Sequence, residues 1–300
     1  MSDRTKRISQ MNFLENQALI VKLKIGGPRG SAPDSEVAEK IIHDHGAGEG
    51  VASFSKRILP KEMWSEMTPI TYGMRSFFYQ HTVAWGEDGG RLLAIGNFDW
   101  FRTRMEEMTL QFEDAKARMI NDYSYWCQQA EKNLGTLYRP EDYQSLEQFK
   151  LSMYVNIEYE PVPTSNHLVV KLGQAQLSQV KKKLDQKNNE RLRLASNDLY
   201  TRITAAIRTV ADRLDPEKFD RGIRQSIIDD LSNIAELVPT LNVMGDDNLS
   251  KLCEEVRELI DGVSANELRP KDASNFNKDK SDDLREQLDE MSEKFGGMYG

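Results

Sequence analysis

A stripe of large apolar residues between residues 97 and 135 limits the possible folds more than any other feature of this sequence. Its members recur three and four residues apart, which is the spacing of one buried face of an α-helix. The stripe predicts one long amphipathic helix with coiled-coil-like spacing, capped by Asn97 and ending at Gly135. Its members are Phe98, Phe101, Met105, Met108, Phe112, Met119, Tyr123, Trp126 and Ala130.

A second long helix is predicted farther along the chain by the same spacing. Asn188 interrupts its otherwise apolar seam. Shorter helices are predicted at 35–46, where the hydroxyl of Ser35 can cap the first turn, and at 61–80, 220–238 and 248–262. The second seam consists of Leu177, Val180, Leu184, Leu192, Leu199, Ile203, Ala206 and Val210.

Alternating apolar and polar residues predict strands at 19–25 and 153–159, and a short strand is expected near 56–59. The segment HLVVKL, residues 167–172, is expected to form a hairpin with the strand at 153–159. Residues 85–97, WGEDGGRLLAIGN, are predicted to form a loop with a turn at Asp88-Gly89-Gly90.

These elements predict an α+β protein that is mostly helical. Two long amphipathic helices pack with short β-strands and hairpins, and an acidic C-terminal tail follows. The expected organisation is a flexible basic N-terminus (1–16), an aromatic-rich α+β domain (17–172), a helical domain (173–262) and a polar linker with the acidic tail (263–300).

The composition favours a soluble cytoplasmic protein that has no membrane partner. No apolar run approaches the ~20 residues of a membrane span, and the N-terminus has no apolar signal region. The two cysteines, Cys127 and Cys253, lie far apart in helical patterns, so they are expected to be reduced.

No catalytic signature occurs in the sequence. The phosphate-binding, dinucleotide-binding, zinc-protease and serine-hydrolase motifs are all missing, and there are four histidines. His43 and His45 stand two residues apart at a predicted helix end and have no nearby partner ligands. The chain is therefore predicted to be no enzyme and to use no metal or cofactor.

Charge is distributed unevenly along the chain. Residues 225–300 carry a net charge of −10, whereas the first 224 residues carry +2. Such asymmetry suggests a body that binds a polyanion, although solvated helix faces would explain it equally well. The candidate backbone contacts are Lys22, Lys24 and Arg29 beside a glycine-rich loop, and Lys183, Lys187 and Arg191 on one helix face.

Aromatic residues are dense between residues 64 and 159. Many must be core, but SFFYQ, Trp100, Tyr125 and Tyr154 lie off or beside the buried positions. Single-strand binding needs a positive groove and exposed rings on which bases stack. Phe77, Phe78 and Tyr79 are the candidates for stacking.

The C-terminal tail places Leu284, Leu288, Met291 and Phe295 on one side of a predicted acidic helix. It is expected to lie beyond the core and to compete with nucleic acid for the basic body. Phe295, Met298 and Tyr299 are the candidates for partner binding. A frayed terminal helix without a role is the alternative. This acidic tail, which ends in an aromatic residue, resembles the C-terminal tails of phage and bacterial single-stranded-DNA-binding proteins.

Over residues 12–262 the order of elements resembles an uncharacterised family of phage and prophage proteins. The segments that carry the resemblance are RILPKEMW, GRLLAIGNFDWF, NDYSYWCQQAEKNLGTLYRPEDYQS and NIEYEPVP. Members are often encoded beside ring ATPases, so the resemblance implies a role in phage nucleic-acid metabolism in the cytoplasm of an infected bacterium. Size, acidity and the lack of motifs are more loosely similar to the single-stranded-DNA-binding RNA polymerase cofactor of some podoviruses. Neither resemblance assigns a functional residue.

The leading hypothesis from the sequence is a non-enzymatic single-stranded-DNA-binding protein of phage type. It would form a homo-oligomer and recruit a phage or host replication or transcription protein. The alternative is an oligomeric helical adaptor that docks a phage ATPase or another protein and needs no basic face.

Overall fold

The computed structural model describes residues 16–86, 89–163, 174–215, 223–268 and 277–296. Within these ranges the chain forms eight α-helices and six β-strands. The helices are α1 (Ser35–Asp44), α2 (Met67–Gln80), α3 (Phe98–Leu134), α4 (Leu146–Ser152), α5 (Gln174–Leu214), α6 (Gln225–Leu241), α7 (Asp247–Ile260) and α8 (Lys278–Gly296). The strands are β1 (Ala18–Gly26), β2 (Ser31–Pro33), β3 (Ser55–Arg57), β4 (Val83–Ala84), β5 (Arg91–Ala94) and β6 (Tyr154–Pro161).

The strands form two small sheets. The larger has the order β4-β5-β1-β6, and β5 runs antiparallel to both of its neighbours. Ala18 of β1 lies opposite Ala94 of β5, which sets their register. The smaller sheet pairs β2 with β3 in antiparallel register. The predicted fold class, mostly helical α+β with two long helices, is confirmed.

The chain divides into two compact units, and it passes from one to the other at four points. Unit 1 comprises Met1–Lys22, Tyr79–Asp99 and Tyr159–Gly300, and unit 2 comprises Leu23–Phe78 and Trp100–Glu158. Neither unit is one continuous stretch of sequence.

Unit 1 is built around the second half of α5. One hydrophobic core joins the apolar faces of α5, α6, α7 and α8 to side chains of β1, β4 and β5. Ile203, Leu231, Leu252 and Leu288, one from each helix, are all at most 1% exposed. Each helix therefore covers the apolar side of its neighbours.

Unit 2 is built around α3. The predicted stripe is buried as expected at Phe101, Met105, Phe112, Met119 and Tyr123. The ring of Tyr123 stacks on Phe149 of α4, with 3.9 Å between their centroids. The spacing of large apolar residues was thus a sufficient signal for this helix.

Two local predictions differ from the structure. Residues 91–94, predicted as loop, form strand β5, in which Leu92 and Leu93 are both fully buried. A strand buried on both faces lacks the alternation on which the sequence reading depends. Helix α1 is capped by Asp34 rather than by Ser35, because the Asp34 carboxylate accepts a hydrogen bond from the Val37 N–H.

The expectation that the acidic tail lies beyond the core is wrong for residues 278–296. Leu284, Leu288 and Phe295 of α8 are buried in the core of unit 1. At the entry to α8, the Asn277 N–H donates to the Glu267 carbonyl at 2.8 Å. A helix that carries apolar side chains on one face lowers its free energy by packing that face, and its charged residues stay outside.

Helix α8 runs antiparallel to α5. Its Ser292 hydroxyl accepts a hydrogen bond from Arg208 Nε at 2.7 Å, while Arg285, nearer its start, lies 3.7 Å from Asp215. Among the described helices, none is long and apolar enough to cross a membrane.

Candidate nucleic-acid interface

The predicted basic stripe (Lys183, Lys187 and Arg191) lies on α5, in unit 1. The segment is helical, so residues four apart share one side. Lys183 and Lys187 are exposed and Arg191 is half-buried. The Arg191 guanidinium lies 5.7 Å from the ring centroid of Trp85, a cation–π distance. The first two residues of the stripe are therefore exposed to solvent, and the third packs against Trp85.

Arginines fix the backbone of residues 79–85, the segment that includes Trp85. Arg202 of α5 donates to the carbonyls of Gln80 at 3.0 Å and Thr82 at 2.8 Å. Arg91 of β5 donates to the Thr82 carbonyl at 2.9 Å and to its hydroxyl at 2.7 Å. Hydrogen bonds from charged donors are roughly twice as strong as neutral ones, so this segment is held firmly.

Asp198 joins these groups together. Its carboxylate accepts from the Ala84 N–H at 2.9 Å, and from Arg202 at 2.9 Å and Arg91 at 3.3 Å. One carboxylate faces two guanidinium groups, which leaves the cluster positive. Burial, followed by the nearby charge of Arg202, lowers the pKa of His81, so that imidazole is mainly neutral at pH 7.

Tyr79 stands at the other end of the segment. Its side chain is 54% exposed, and the Arg91 guanidinium lies 5.0 Å from its ring centroid. Residues 79–85 therefore begin at the exposed ring of Tyr79, which Arg91 contacts. They end at Trp85, which contacts Arg191 of the basic stripe. Sequence reasoning proposed Tyr79 and the stripe separately and missed Arg91, Asp198 and Arg202. The spacing of Asp198 and Arg202, four residues apart in a helix, was the one visible signal.

Phe77 and Phe78 do not present the surface that base stacking requires. Phe77 is 9% exposed and Phe78 is 2% exposed. Both lie against Phe101, at 5.4 Å and 6.3 Å between ring centroids. Helix α2 turns these neighbouring rings into the core of unit 2, so the interpretation of both as stacking residues is corrected. The other aromatic residues that the sequence placed off the buried positions, Trp100, Tyr125 and Tyr154, are about half exposed.

The lysines of β1 are paired with carboxylates of β6. Lys22 lies 3.0 Å from Glu160 in unit 1, and Lys24 lies 3.2 Å from Glu158 in unit 2. Surface ion pairs of this kind contribute little to stability. Their role as phosphate contacts stays a prediction, and any such contact must first replace a carboxylate.

Arg29 is exposed and lines an open polar groove of about 470 Å³ in unit 2. The adjacent glycine loop offers less open backbone than the sequence suggested, because the Trp64 ring packs on it. A Cβ added at Gly30 would lie 3.2 Å from that ring. The groove is lined by Arg29, Glu141, Asp142, Tyr143, Gln144, Gln148, Leu151 and Ser152.

Unit 2 also contains a buried ion cluster that the sequence did not reveal. Lys56 Nζ lies 3.0 Å from Asp34, 2.8 Å from Asp142 and 2.7 Å from the Leu137 carbonyl. Burial opposes the charge of Lys56, but hydrogen bonds to Asp142 and Asp34 outweigh it and raise the pKa of the lysine. The hydrogen bond from Lys56 lowers the pKa of Asp34. Each carboxylate faces the lysine, and Arg139 lies 3.5 Å from Asp34 as a second cation, so we interpret the cluster as structural.

Phe295, the described member of the predicted partner-binding set, is 6% exposed and packs in the core of unit 1. It can reach a partner only if α8 leaves α5. Met298 and Tyr299 lie outside the described residues, as does the predicted hairpin strand at 167–172. Within the described ranges, no group of three or more histidine, cysteine or carboxylate side chains could hold a metal ion.

The structure thus joins Tyr79 to the basic stripe within unit 1 and places Lys24, Arg29, Phe77 and Phe78 in unit 2. Comparison with known proteins finds no match for the chain among protein-family models, curated sequences or solved structures.

Proposed function

We propose that this protein binds single-stranded DNA through unit 1 and catalyses no reaction. One observation carries the proposal: residues 79–85 connect the exposed ring of Tyr79 to Arg191, the half-buried end of a basic row whose other members are exposed. Self-association and the recruitment of a replication or transcription protein accompany the proposal as predictions.

The basic stripe supplies the electrostatic part of such an interface. Lys183 and Lys187 stand one helical turn apart, and both side chains are exposed. Their ammonium groups therefore lie at the surface of unit 1, where a phosphate can approach them. Lysine and arginine side chains that neutralise phosphates release counterions, which makes the affinity fall with added salt.

The aromatic part is Tyr79 with Arg91. An exposed ring and a guanidinium plane both stack with unpaired bases, whose faces are hidden in a duplex. Arg91 is held in place because its guanidinium donates hydrogen bonds to the hydroxyl and the carbonyl of Thr82. This combination favours a single strand over a duplex.

The test is fluorescence anisotropy with a labelled single-stranded oligonucleotide across a salt series. The wild-type protein is expected to bind, and its affinity should fall as salt rises. The double variant Lys183→Glu, Lys187→Glu should bind more weakly, with a salt slope shallower by about 0.7 for each phosphate that is no longer neutralised.

The matched control is Lys251→Glu with Arg257→Glu. Both residues are exposed on α7 of the same unit, and the change in charge is identical. Equal losses in the two double variants would reduce the effect to overall charge and would contradict the proposal. Absence of binding at low salt would favour the alternative, an oligomeric helical adaptor. Such a protein should also purify without nucleic-acid absorbance.

A further inference from the structure

Trp100 presents an exposed indole near the start of α3. Its side chain is 54% exposed, although tryptophan side chains are highly buried on average. It belongs to unit 2, whereas the stripe and Tyr79 belong to unit 1. A large exposed ring is usually kept where something covers it.

The indole rests on a buried aromatic floor. The ring of Phe77 lies 5.2 Å from that of Trp100, with 53° between their planes. Phe77 in turn stacks on Phe101, which is fully buried. The floor fixes the indole, so a ligand that covers it loses less conformational entropy on binding. Phe77, predicted from the sequence to stack on bases, instead packs beneath the indole of Trp100.

The surroundings of Trp100 on α3 are polar. Arg104, Glu107 and Gln111 follow it at helical spacings of four, seven and eleven residues, and all three are exposed. Protein interfaces are centred on continuous apolar patches. A supported ring that is followed along its helix by polar side chains fits a flat ligand that stacks on the ring and meets charge at its edge.

We infer that Trp100 is a stacking platform for an unpaired nucleobase, with Arg104 placed to meet the adjoining phosphate. Arg104 pairs with Glu107 at 2.8 Å on the surface, an exchangeable contact that leaves its guanidinium partly exposed. The inference rests on the proposed function. It adds a contact in unit 2 that acts on bases rather than on phosphates alone.

The experiment compares oligonucleotide binding by wild type, Trp100→Leu and Trp100→Phe. The leucine variant should raise Kd by about tenfold, and the phenylalanine variant should keep most of the affinity because it keeps a π-face. An abasic strand of equal length should bind wild type and Trp100→Leu alike. The indole should also be quenched when the strand binds, and Trp100→Phe should remove that part of the quenching from the four-tryptophan signal.

Tyr125→Leu is the matched control, because Tyr125 is 55% exposed on the same helix. If wild type binds with the expected salt dependence but Trp100→Leu behaves like Tyr125→Leu, the inference fails and the proposed function stands. If wild type does not bind, both fail. A Trp100→Leu variant that changes the sedimentation coefficient but not Kd would assign the ring to a protein interface and would overturn the inference.

Discussion

The aromatic rings of Phe295 and Tyr200 lie nearly parallel, with 17° between their planes and 6.5 Å between their centroids. Tyr200 and Arg202 stand two residues apart in α5, so their side chains point about 160° apart. Tyr200 faces α8, whereas Arg202 donates to the Thr82 carbonyl. The acidic helix and residues 79–85 therefore lie on opposite sides of α5. This arrangement does not support competition between α8 and nucleic acid for the stripe.

Phe295→Ala is expected to destabilise the protein by about 3–5 kcal/mol. Phe295 is 6% exposed in the core of unit 1, and removing a buried phenylalanine ring loses apolar burial and leaves a cavity. The free energy of unfolding, measured by urea denaturation with helical circular dichroism, reports the change.

Glu293→Ala is the control, because Glu293 is an exposed residue of the same helix and its loss should change stability by at most about 0.5 kcal/mol. Deletion of residues 277–296 should destabilise unit 1 strongly. A Phe295→Ala protein with an unchanged denaturation midpoint would show that α8 is not packed on α5 in solution.

The helices were predictable from the sequence, but the partner of each helix was not. The stripe of α3 has a clear period, so its buried face could be read from Phe101, Met105 and Phe112 alone. The period at Leu284 and Leu288 predicted a helix equally well, yet the net acidity of the segment suggested a solvated tail. Periodicity shows which face is apolar, and nothing local shows what covers that face.

Lys56→Met should destabilise unit 2 by on the order of 3 kcal/mol, because it leaves two carboxylates without their buried partner. The side chains of Lys56 and Asp34 are each 1% exposed, so water cannot replace the missing charge fully. Thermal unfolding measures the loss. Adding Asp34→Asn to Lys56→Met should recover part of it, and a double variant less stable than the single one would contradict the account.

The contribution of this cluster should depend on pH with a defined sign. The pKa of Asp34 is lowered from 3.8, so its stabilisation is present above about pH 4 and is lost as the pH falls through the folded pKa. The pKa of Lys56 is raised from 10.5, so its stabilisation is present below that value and is lost at higher pH. The stability difference between wild type and Lys56→Met should be largest near neutral pH and should shrink as the pH becomes acidic or rises above the ordinary pKa of lysine. A constant difference down to pH 2 would argue against the pair.

Cys253 should resist alkylation in the native protein. It is fully buried, and burial raises its pKa to about 12, so the thiolate is scarce at pH 8. Cys127 is half-buried, and burial raises its pKa too, so it should react slowly. Mass spectrometry after iodoacetamide treatment should find Cys253 unmodified in buffer and both residues modified in denaturant. Rapid native modification of Cys253 would contradict its placement in the core.

The candidate interface was only partly predictable. Lys183 and Lys187 follow from helical spacing, but the choice among Phe77, Phe78 and Tyr79 depends on which side of α2 is buried. The contacts of Asp198 with Ala84 and Arg91 join residues more than 100 positions apart, and no pattern in the sequence predicts them. The division into two interleaved units could not be predicted either, because the chain crosses between them inside β1, α2, α3 and β6 rather than in linkers.

Tyr79→Leu should weaken single-strand binding without changing its dependence on salt. Loss of one stacked ring costs about tenfold in Kd, but the number of phosphate contacts stays the same. The stripe variant, by contrast, should change the salt slope. Anisotropy titrations at several salt concentrations separate the two effects. Tyr72→Leu serves as the control, since Tyr72 is 73% exposed on the same helix. Equal losses in both tyrosine variants, or a shallower slope for Tyr79→Leu, would remove Tyr79 from the interface.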